Sequence, residues 1–395
     1  MNKSTNFSGK PIISQVLNFI PRDLIYRTAR EHNSDRYCKK FTTHDHLITM
    51  LYGVLSDCSS LRELSTALHG CGGKISHLGI NYFPKRSTLS DANSRRNEKV
   101  FEQIYFELYK RYARFLSDSS MPKNLFLVDS TTVTLFSSVL KGVGRNNING
   151  KKKGGLKVHT VINANEDVPC LVKLSQAAMH DSNYLKHIHL PKESWLVFDK
   201  GYTDYKQYKR LTNQGINFVT RERDNAKFTS IEEYELSQFT SDAVLKDEKI
   251  VVNMGYKKPL ILRRVAFWDI SQKRLFVFVT NNHDANPDEI AAYYKNRWQI
   301  ELLFKRLKQN FPLKYFLGDS VNAIKIQVWI CLIAQLILKL IQQKAERRWS
   351  FSTMASLIKF HLLSYIKLFE FLRNPNERYS ELTTLNNQTK LLFSG

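Results

Sequence analysis

Three carboxylates and a row of phosphate-seeking side chains could do chemistry in this sequence. Asp129 and Asp199 each follow a continuous apolar run, Leu125 to Val128 and Trp195 to Phe198. Glu301 lies in the stretch Tyr294-Lys295-Asn296-Arg297-Trp298-Gln299-Ile300-Glu301, which continues through Lys308. At about 100° per residue, Tyr294, Arg297, Glu301 and Lys308 fall within roughly 60° of arc on one helix face. A carboxylate among an arginine, a lysine and a phenol suits work on a phosphodiester, offering oxygens to a hard divalent cation and donors to phosphate oxygens. Taken alone, this helix reads more readily as a solvated face with i,i+4 pairs such as Glu301 with Lys305. The two upstream aspartates shift the balance, because ligands gather at strand ends in open α/β sheets.

The elements that must position these groups are well signalled. Asn286 caps one long helix, Pro287 suits its first position, Asp288 and Glu289 favour its positive end, and Pro312 stops it. The apolar runs before Asp129 and Asp199 suit strands covered on both faces. Leu156 to Ile162 and Val168 to Leu174, separated by the turn Asn163 to Asp167, complete a three-strand meander with the Asp129 strand. A short helix near Asp181 to His189, a helix over Thr203 to Asn213 and a strand over Ile216 to Thr220 follow. Asp181 reads as an N-cap rather than a metal ligand. Lys157 and His159 alternate along the second meander strand and are candidates for contact with DNA or a scissile phosphate from the sheet surface, although each reads first as an ordinary exposed strand residue. The segment Lys141 to Lys157, with six basic residues and no acid, reads as a glycine-rich mobile loop able to follow a phosphate backbone. No Gly-x-Ser-x-Gly elbow surrounds Ser130 to Thr132, so a hydroxyl nucleophile is not favoured.

With these residues the chain resembles the DDE transposases of the insertion-sequence-four family. Tyr294-x2-Arg297-x3-Glu301-x6-Lys308 matches the Y-R-E-K signature of that family without a gap, and Asp199-Lys200-Gly201-Tyr202 matches its second acidic motif. The likeness runs from about Pro11 to the helices after Phe316. It implies an α/β fold: a ribonuclease H-like mixed-sheet catalytic core with a β-rich insertion, plus an N-terminal helical domain and C-terminal helices. The division it implies is 1–120 for a helical DNA-binding region, 121–220 for the first part of the core, 221–285 for the insertion, 286–320 for the core helix with the third acid, and 321–395 for C-terminal helices.

The resemblance further implies that Asp129, Asp199 and Glu301 are catalytic and bind two Mg2+ ions, for which Mn2+ substitutes. Tyr294, Arg297 and Lys308 would contact DNA. The partners implied are double-stranded DNA, as terminal inverted repeats and as target, and a second copy of the chain in a paired-end homodimer. Independently, Val219 to Arg223, Lys249 to Asn253, Leu260 to Asp269 and Arg274 to Thr280 have strand composition, as an insertion there requires. Trp268 within it is a candidate for stacking on an unpaired base, although a tryptophan reads first as a core aromatic.

The bulk numbers agree with a polyanionic partner. Fifty-nine Lys and Arg against 36 Asp and Glu give a net charge of +23 and a pI near 9.7. DNA, RNA and acidic membranes all satisfy that field. At 395 residues and 43% hydrophobic composition the chain can bury a large core in two or three domains. Cys38, Cys58, Cys71, Cys170 and Cys331 are scattered, so neither a disulfide framework nor a zinc knuckle is indicated, and a reducing cytoplasm, in contact with the nucleoid, is the natural setting. The first 20 residues mix Lys3, Asn6, Lys10 and Gln15 among apolar residues, unlike a signal peptide. Ile324 to Ile341 is interrupted by Lys325, Gln327, Gln335 and Lys339, which indicates a buried helix and no membrane partner. Phe351 to Leu372 is a further apolar helical pattern.

Near the N-terminus, Thr43 can cap a helix from His44 to Leu55, and Ser60 to Glu63 opens another that Gly70 to Gly73 closes. Ser87 to Arg96 starts a third whose polar, basic face suits major-groove docking. Two other functions use the same residues: a ribonuclease H-like nuclease or resolvase with water as its only nucleophile, and a non-catalytic DNA-binding derivative. The derivative would be expected to have lost an acid. A tyrosine recombinase needs an Arg-His-Arg set around one tyrosine, which is not apparent.

Overall fold

The apolar runs that deliver the two aspartates become neighbouring strands at the centre of a mixed sheet. In the computed structural model, which describes residues 9–80, 83–134, 145–148, 151–252 and 259–376, β1 (Leu125–Thr134) pairs antiparallel with β3 (Lys151–Asn163). β3 pairs antiparallel with β4 (Val168–Gln176). On its other side β1 pairs parallel with β5 (Trp195–Phe198), and β5 parallel with β6 (Asn217–Arg221). The order β4-β3-β1-β5-β6, an antiparallel meander flanked by two parallel strands, is the ribonuclease H-like arrangement. Leu125, Leu127, Val128, Leu196, Val197 and Phe198 are all buried, which is why these strands read as unbroken apolar runs.

The β-rich insertion extends this sheet. β10 (Arg274–Thr280) pairs antiparallel with β6, and β9 (Leu260–Asp269), β8 (Val244–Val252) and β7 (Thr229–Glu233) follow in that order. β7 is one strand more than composition indicated: it reads Thr-Ser-Ile-Glu-Glu and is exposed along its length, so no apolar pattern announces it. The basic segment read as a mobile loop instead contains β2 (Arg145–Ile148), paired with Lys151 to Gly154 of β3. That hairpin is made by backbone groups, which charge and glycine content do not report. The remainder of that segment, 141–144 and 149–150, lies outside the described residues.

Helices cover both faces of the sheet. α7 (Ser182–Leu185) and α8 (Tyr205–Asn213) pack with Leu196, Phe198 and Phe218. On the opposite face α9 (Pro287–Lys295) places Tyr293 4.8 Å from the Trp195 ring, as the alternation of strand side chains requires. The single helix expected from Asn286 to Pro312 is two, α9 and α10 (Trp298–Asn310). The Asn296 amide donates to the Ala292 carbonyl at 3.1 Å, and the Arg297 N–H donates to Tyr294 at 3.0 Å, a tightened i→i−3 bond that ends the first helix.

The chain forms two compact units, Leu116–Lys305 and the combination of Met1–Phe115 with Arg306–Gly395. The second is helical: α1 (Ile12–Leu17), α2 (Arg22–Glu31), α3 (Thr43–Leu55), α4 (Leu61–Gly70), α5 (Arg86–Arg95) and α6 (Lys99–Leu116) precede α11 (Val321–Lys344), α12 (Phe351–Phe360) and α13 (Leu368–Arg373). Thr42, one residue earlier than expected, caps α3 in a reciprocal box with Asp45. α11 is the one helix among the described residues long and apolar enough to cross a membrane, and it is buried inside this unit against α3, α5 and α12. Among its buried polar residues Gln327 and Trp329 have set partners, while the Gln335 amide has none among the described residues. Gln327 donates to the Tyr315 carbonyl at 2.9 Å and accepts from the Leu317 N–H at 2.7 Å, while the Trp329 indole donates to Glu98 at 3.1 Å.

Candidate active site

Asp129 lies within β1 rather than at its end, because β1 runs on to Thr134 against β3. Its parallel neighbour β5 stops at Phe198, level with Val128, so Asp129 and Asp199 emerge side by side where the parallel pairing ends. Glu301 comes from a helix, in the first turn of α10. The helix break therefore gives Glu301 a fresh positive helix end, which favours its carboxylate.

Two arginines hold the three acids. Arg297, in the break, hydrogen-bonds to Glu301 at 2.6 Å and stands 3.6 Å from Asp129, so one guanidinium bridges a strand and a helix. Arg221, at the end of β6, bonds Asp199 at 3.0 Å. The Tyr294 hydroxyl donates to the same Asp199 oxygen at 3.3 Å, and the guanidiniums of Arg221 and Arg297 each lie over its ring, at 5.9 and 5.7 Å. Sequence reading missed Arg221. The signal was present in the strand register: Thr220 pairs with Phe198, so the residue after Thr220 stands to β6 as Asp199 stands to β5.

The two aspartates differ electrostatically. Burial pushes the Asp129 carboxyl up to about 6, with the Ser130 N–H and Arg297 opposing and the charges of Glu301 and Asp199 adding to the rise. Burial also acts to raise Asp199, but the hydrogen bond and charge of Arg221, helped by the Lys200 N–H and Arg297, outweigh it and hold Asp199 below the usual carboxylate range.

A fourth acid bonds the residue that follows Asp129. Asp181 makes no cap bond to the four-residue α7; it accepts from Ser130 at 2.7 Å and from Lys157 at 3.2 Å, which corrects its reading as an N-cap. Lys157 donates also to the Met179 carbonyl at 3.0 Å. His159 is fully buried, stacked on Tyr184 at 4.9 Å and bonded to Ser175 at 2.8 Å, which takes it off the sheet surface where it was expected. Burial pulls its imidazole down to about 4, with Asp181 opposing, so it is neutral at pH 7. Trp268, on β9, is 41% exposed, and Lys308 is exposed seven residues beyond Glu301 on α10.

The donor set fits a hard divalent cation: three carboxylates from three elements, one of them strongly desolvated. Among the described residues no three acids, histidines or cysteines converge to metal-holding distance, since Arg297 stands between Asp129 and Glu301.

Residues 120–337 match the family described as the transposase DDE domain, and residues 8–81 match one described as a domain of unknown function. A Sinorhizobium fredii protein named as a transposase is 29% identical over 261 residues, 65% of this chain and 71% of that protein. A Synechocystis protein named as the transposase for insertion sequence element IS4SA is 30% identical over 267 residues, with the same shares covered. A solved piggyBac transposase synaptic complex with hairpin DNA is similar with a TM-score of 0.47 and 12% identity, over 95% of this chain and 84% of that one.

Proposed function

Because this chain belongs to the transposase DDE domain family, and is a transposase of the insertion-sequence-four kind acting in DNA transposition, we propose that Asp129, Asp199 and Glu301 are its catalytic carboxylates. The observation that carries the assignment is their meeting, from β1, the end of β5 and the first turn of α10, around Arg297 and Arg221. Divalent-metal dependence is general to the family. We assign two Mg2+ ions, replaceable by Mn2+, to the three carboxylates, where they would activate water or a 3′ hydroxyl and stabilise the leaving oxygen.

The remaining roles belong to the chain's own side chains. Arg297 and Lys308 hold phosphates flanking the scissile bond, and Tyr294 orients Asp199 while offering its hydroxyl to DNA. Lys157 reaches the site through Asp181, and the exposed ring of Trp268, on β9 of the insertion, would stack on an unpaired base. The helical region 1–120 docks the terminal inverted repeats, with the exposed, basic α5 toward the groove. The core of 121–220 and the helix of 286–320 carry the chemistry, 221–285 flanks it, and 321–395 supports the fold. Two copies act on paired ends, in the cytoplasm and against the nucleoid.

The test is cleavage and joining of a labelled duplex carrying the element's end repeat, with Mg2+ or Mn2+, for the unaltered chain, Glu301→Gln and Asp199→Asn. Metal-dependent nicking and joining, both lost in variants that still bind, is the expected result. Cutting without joining would favour a nuclease, and activity surviving both substitutions would sink the triad.

A further inference from the structure

A cleft of about 330 Å³ opens at the same sheet edge as the acids. It lies between the loop after β6 and the start of β10, with the antiparallel partner strand β9 contributing Arg264. Arg221, which bonds Asp199 on one side, lines it on the other, so the cleft shares a wall with the acid cluster. Its volume is that of a ligand-holding cleft rather than a packing defect.

The cleft is strongly cationic and its charges are unevenly satisfied. Five cations line it, Lys200, Arg221, Arg223, Arg264 and Arg274, against the two acids Glu222 and Asp224. Arg264 is spoken for by Glu222 at 3.0 Å and Glu248 at 2.7 Å, Lys200 by Asp224 at 3.0 Å, and Arg221 by Asp199. Arg223 and Arg274 make no hydrogen bond or ion pair with a carboxylate among the described residues, although the Arg274 charge is felt by Asp224. The Arg223 Nε donates to the neutral Lys200 carbonyl at 3.2 Å, and Arg274 lies over the Phe276 ring at 5.2 Å.

The aromatic rings decide between two kinds of nucleic-acid contact. Stacking a base needs an open ring face. Phe228 is covered by the Arg264 guanidinium at 5.1 Å, and Phe276 has Arg274 on it and Phe278 stacked at 6.0 Å. The guanidiniums, by contrast, present forked donors that fit phosphate oxygens.

We propose that this cleft binds backbone phosphates of DNA through Arg223 and Arg274, carrying one strand past Arg221 toward the acids. The proposal rests on the transposase reading and adds a binding site to it. Each phosphate neutralised releases condensed counterions, so each contact adds about 0.9 to the slope of log affinity against log salt.

The experiment measures fluorescence anisotropy of a labelled duplex of mixed sequence between about 50 and 200 mM salt, the range over which such contacts are read. The full chain is compared with Arg223→Gln/Arg274→Gln and with Lys123→Gln/Lys192→Gln. The control pair is exposed, carries the same charge, and precedes β1 and β5 at the opposite sheet edge. The cleft variant is expected to lose a slope of about 2 equally on unrelated sequences, and the control to keep the slope of the unaltered chain. Equal losses in both, or none in either, would overturn the site in favour of a diffuse field. Should Arg223→Gln unfold the loop, Arg274→Gln alone, an exposed side chain resting on one ring, must lose a slope of about 1. No salt-dependent binding by the unaltered chain would instead refute the transposase reading itself.

Discussion

Asp129→Asn should stabilise the metal-free protein, and Asp199→Asn should destabilise it. The Asp129 carboxyl rises from 3.8 to about 6 on folding. At about 1.36 kcal/mol for each tenfold change in proton affinity, that rise makes its ionised form cost roughly 3 kcal/mol, of which about 2 should survive solvent screening of a side chain that is 22% exposed. A raised acid binds its proton more tightly in the folded state. The cost is therefore absent below the unfolded value near 3.8, grows through the interval to about 6, and is complete above it. Asparagine keeps an oxygen for the Ser130 N–H and removes the charge. Thermal unfolding in chelator at pH 7.5 should show Asp129→Asn raised by about 4–8 °C, and at pH 4 the advantage should vanish. Asp199, held below the usual range once Arg221 outweighs its burial, contributes stability above its unfolded value that is lost as pH falls through its folded one, so its asparagine variant melts lower at pH 7.5. Two shifts of the same sign, or a destabilised Asp129→Asn at pH 7.5, would refute this electrostatic account.

Arg297→Gln should tighten binding of Mn2+ to the DNA-free protein by about tenfold, roughly 1.4 kcal/mol for removing one adjacent positive charge, read by electron paramagnetic resonance titration. An unchanged affinity would show that the guanidinium does not compete for these carboxylates. Asp181→Asn, which frees Ser130 and Lys157, should slow cleavage by about 10–100-fold at unchanged DNA affinity, as loss of an orienting partner does; a normal rate would make Asp181 a structural residue only. Arg263→Ala should cost about 3–5 kcal/mol in urea unfolding, because it strands Asp247 in a buried pair held at 2.6 Å.

What was legible in the sequence is what burial writes into it. Strands covered on both faces must be apolar throughout, so β1 and β5 and the acids they deliver stood out, as did α11 with its buried polar residues. β7 and β2 were not legible, since one is exposed and both depend on backbone pairing that leaves no side-chain pattern. The break between α9 and α10 was hidden for a different reason. Asn296 sits in a helical pattern and discloses nothing until its amide is seen on the Ala292 carbonyl. His159 illustrates the limit of alternation: it places the residue on a face, but only packing against Tyr184 shows that the face is closed. Asp181 followed the rule for a cap and was drawn instead to Ser130 and Lys157, a long-range pairing that no local rule contains.

The same charges that make the site stable without substrate are the ones proposed to receive the substrate. Three carboxylates gathered from within β1, the end of β5 and the first turn of α10 would repel one another, and the two positive charges of Arg297 and Arg221 leave that cluster with one net negative charge. A guanidinium has five donors, so Arg297 need not release Glu301 altogether to take a phosphate oxygen, but its attraction is then divided. As it turns toward a phosphate, Asp129 loses a charge that holds its carboxyl down, and the site's pull on a divalent cation grows in step. DNA and cation binding should accordingly reinforce each other, each lowering the cost of the other by no more than the charge that Arg297 shares between them.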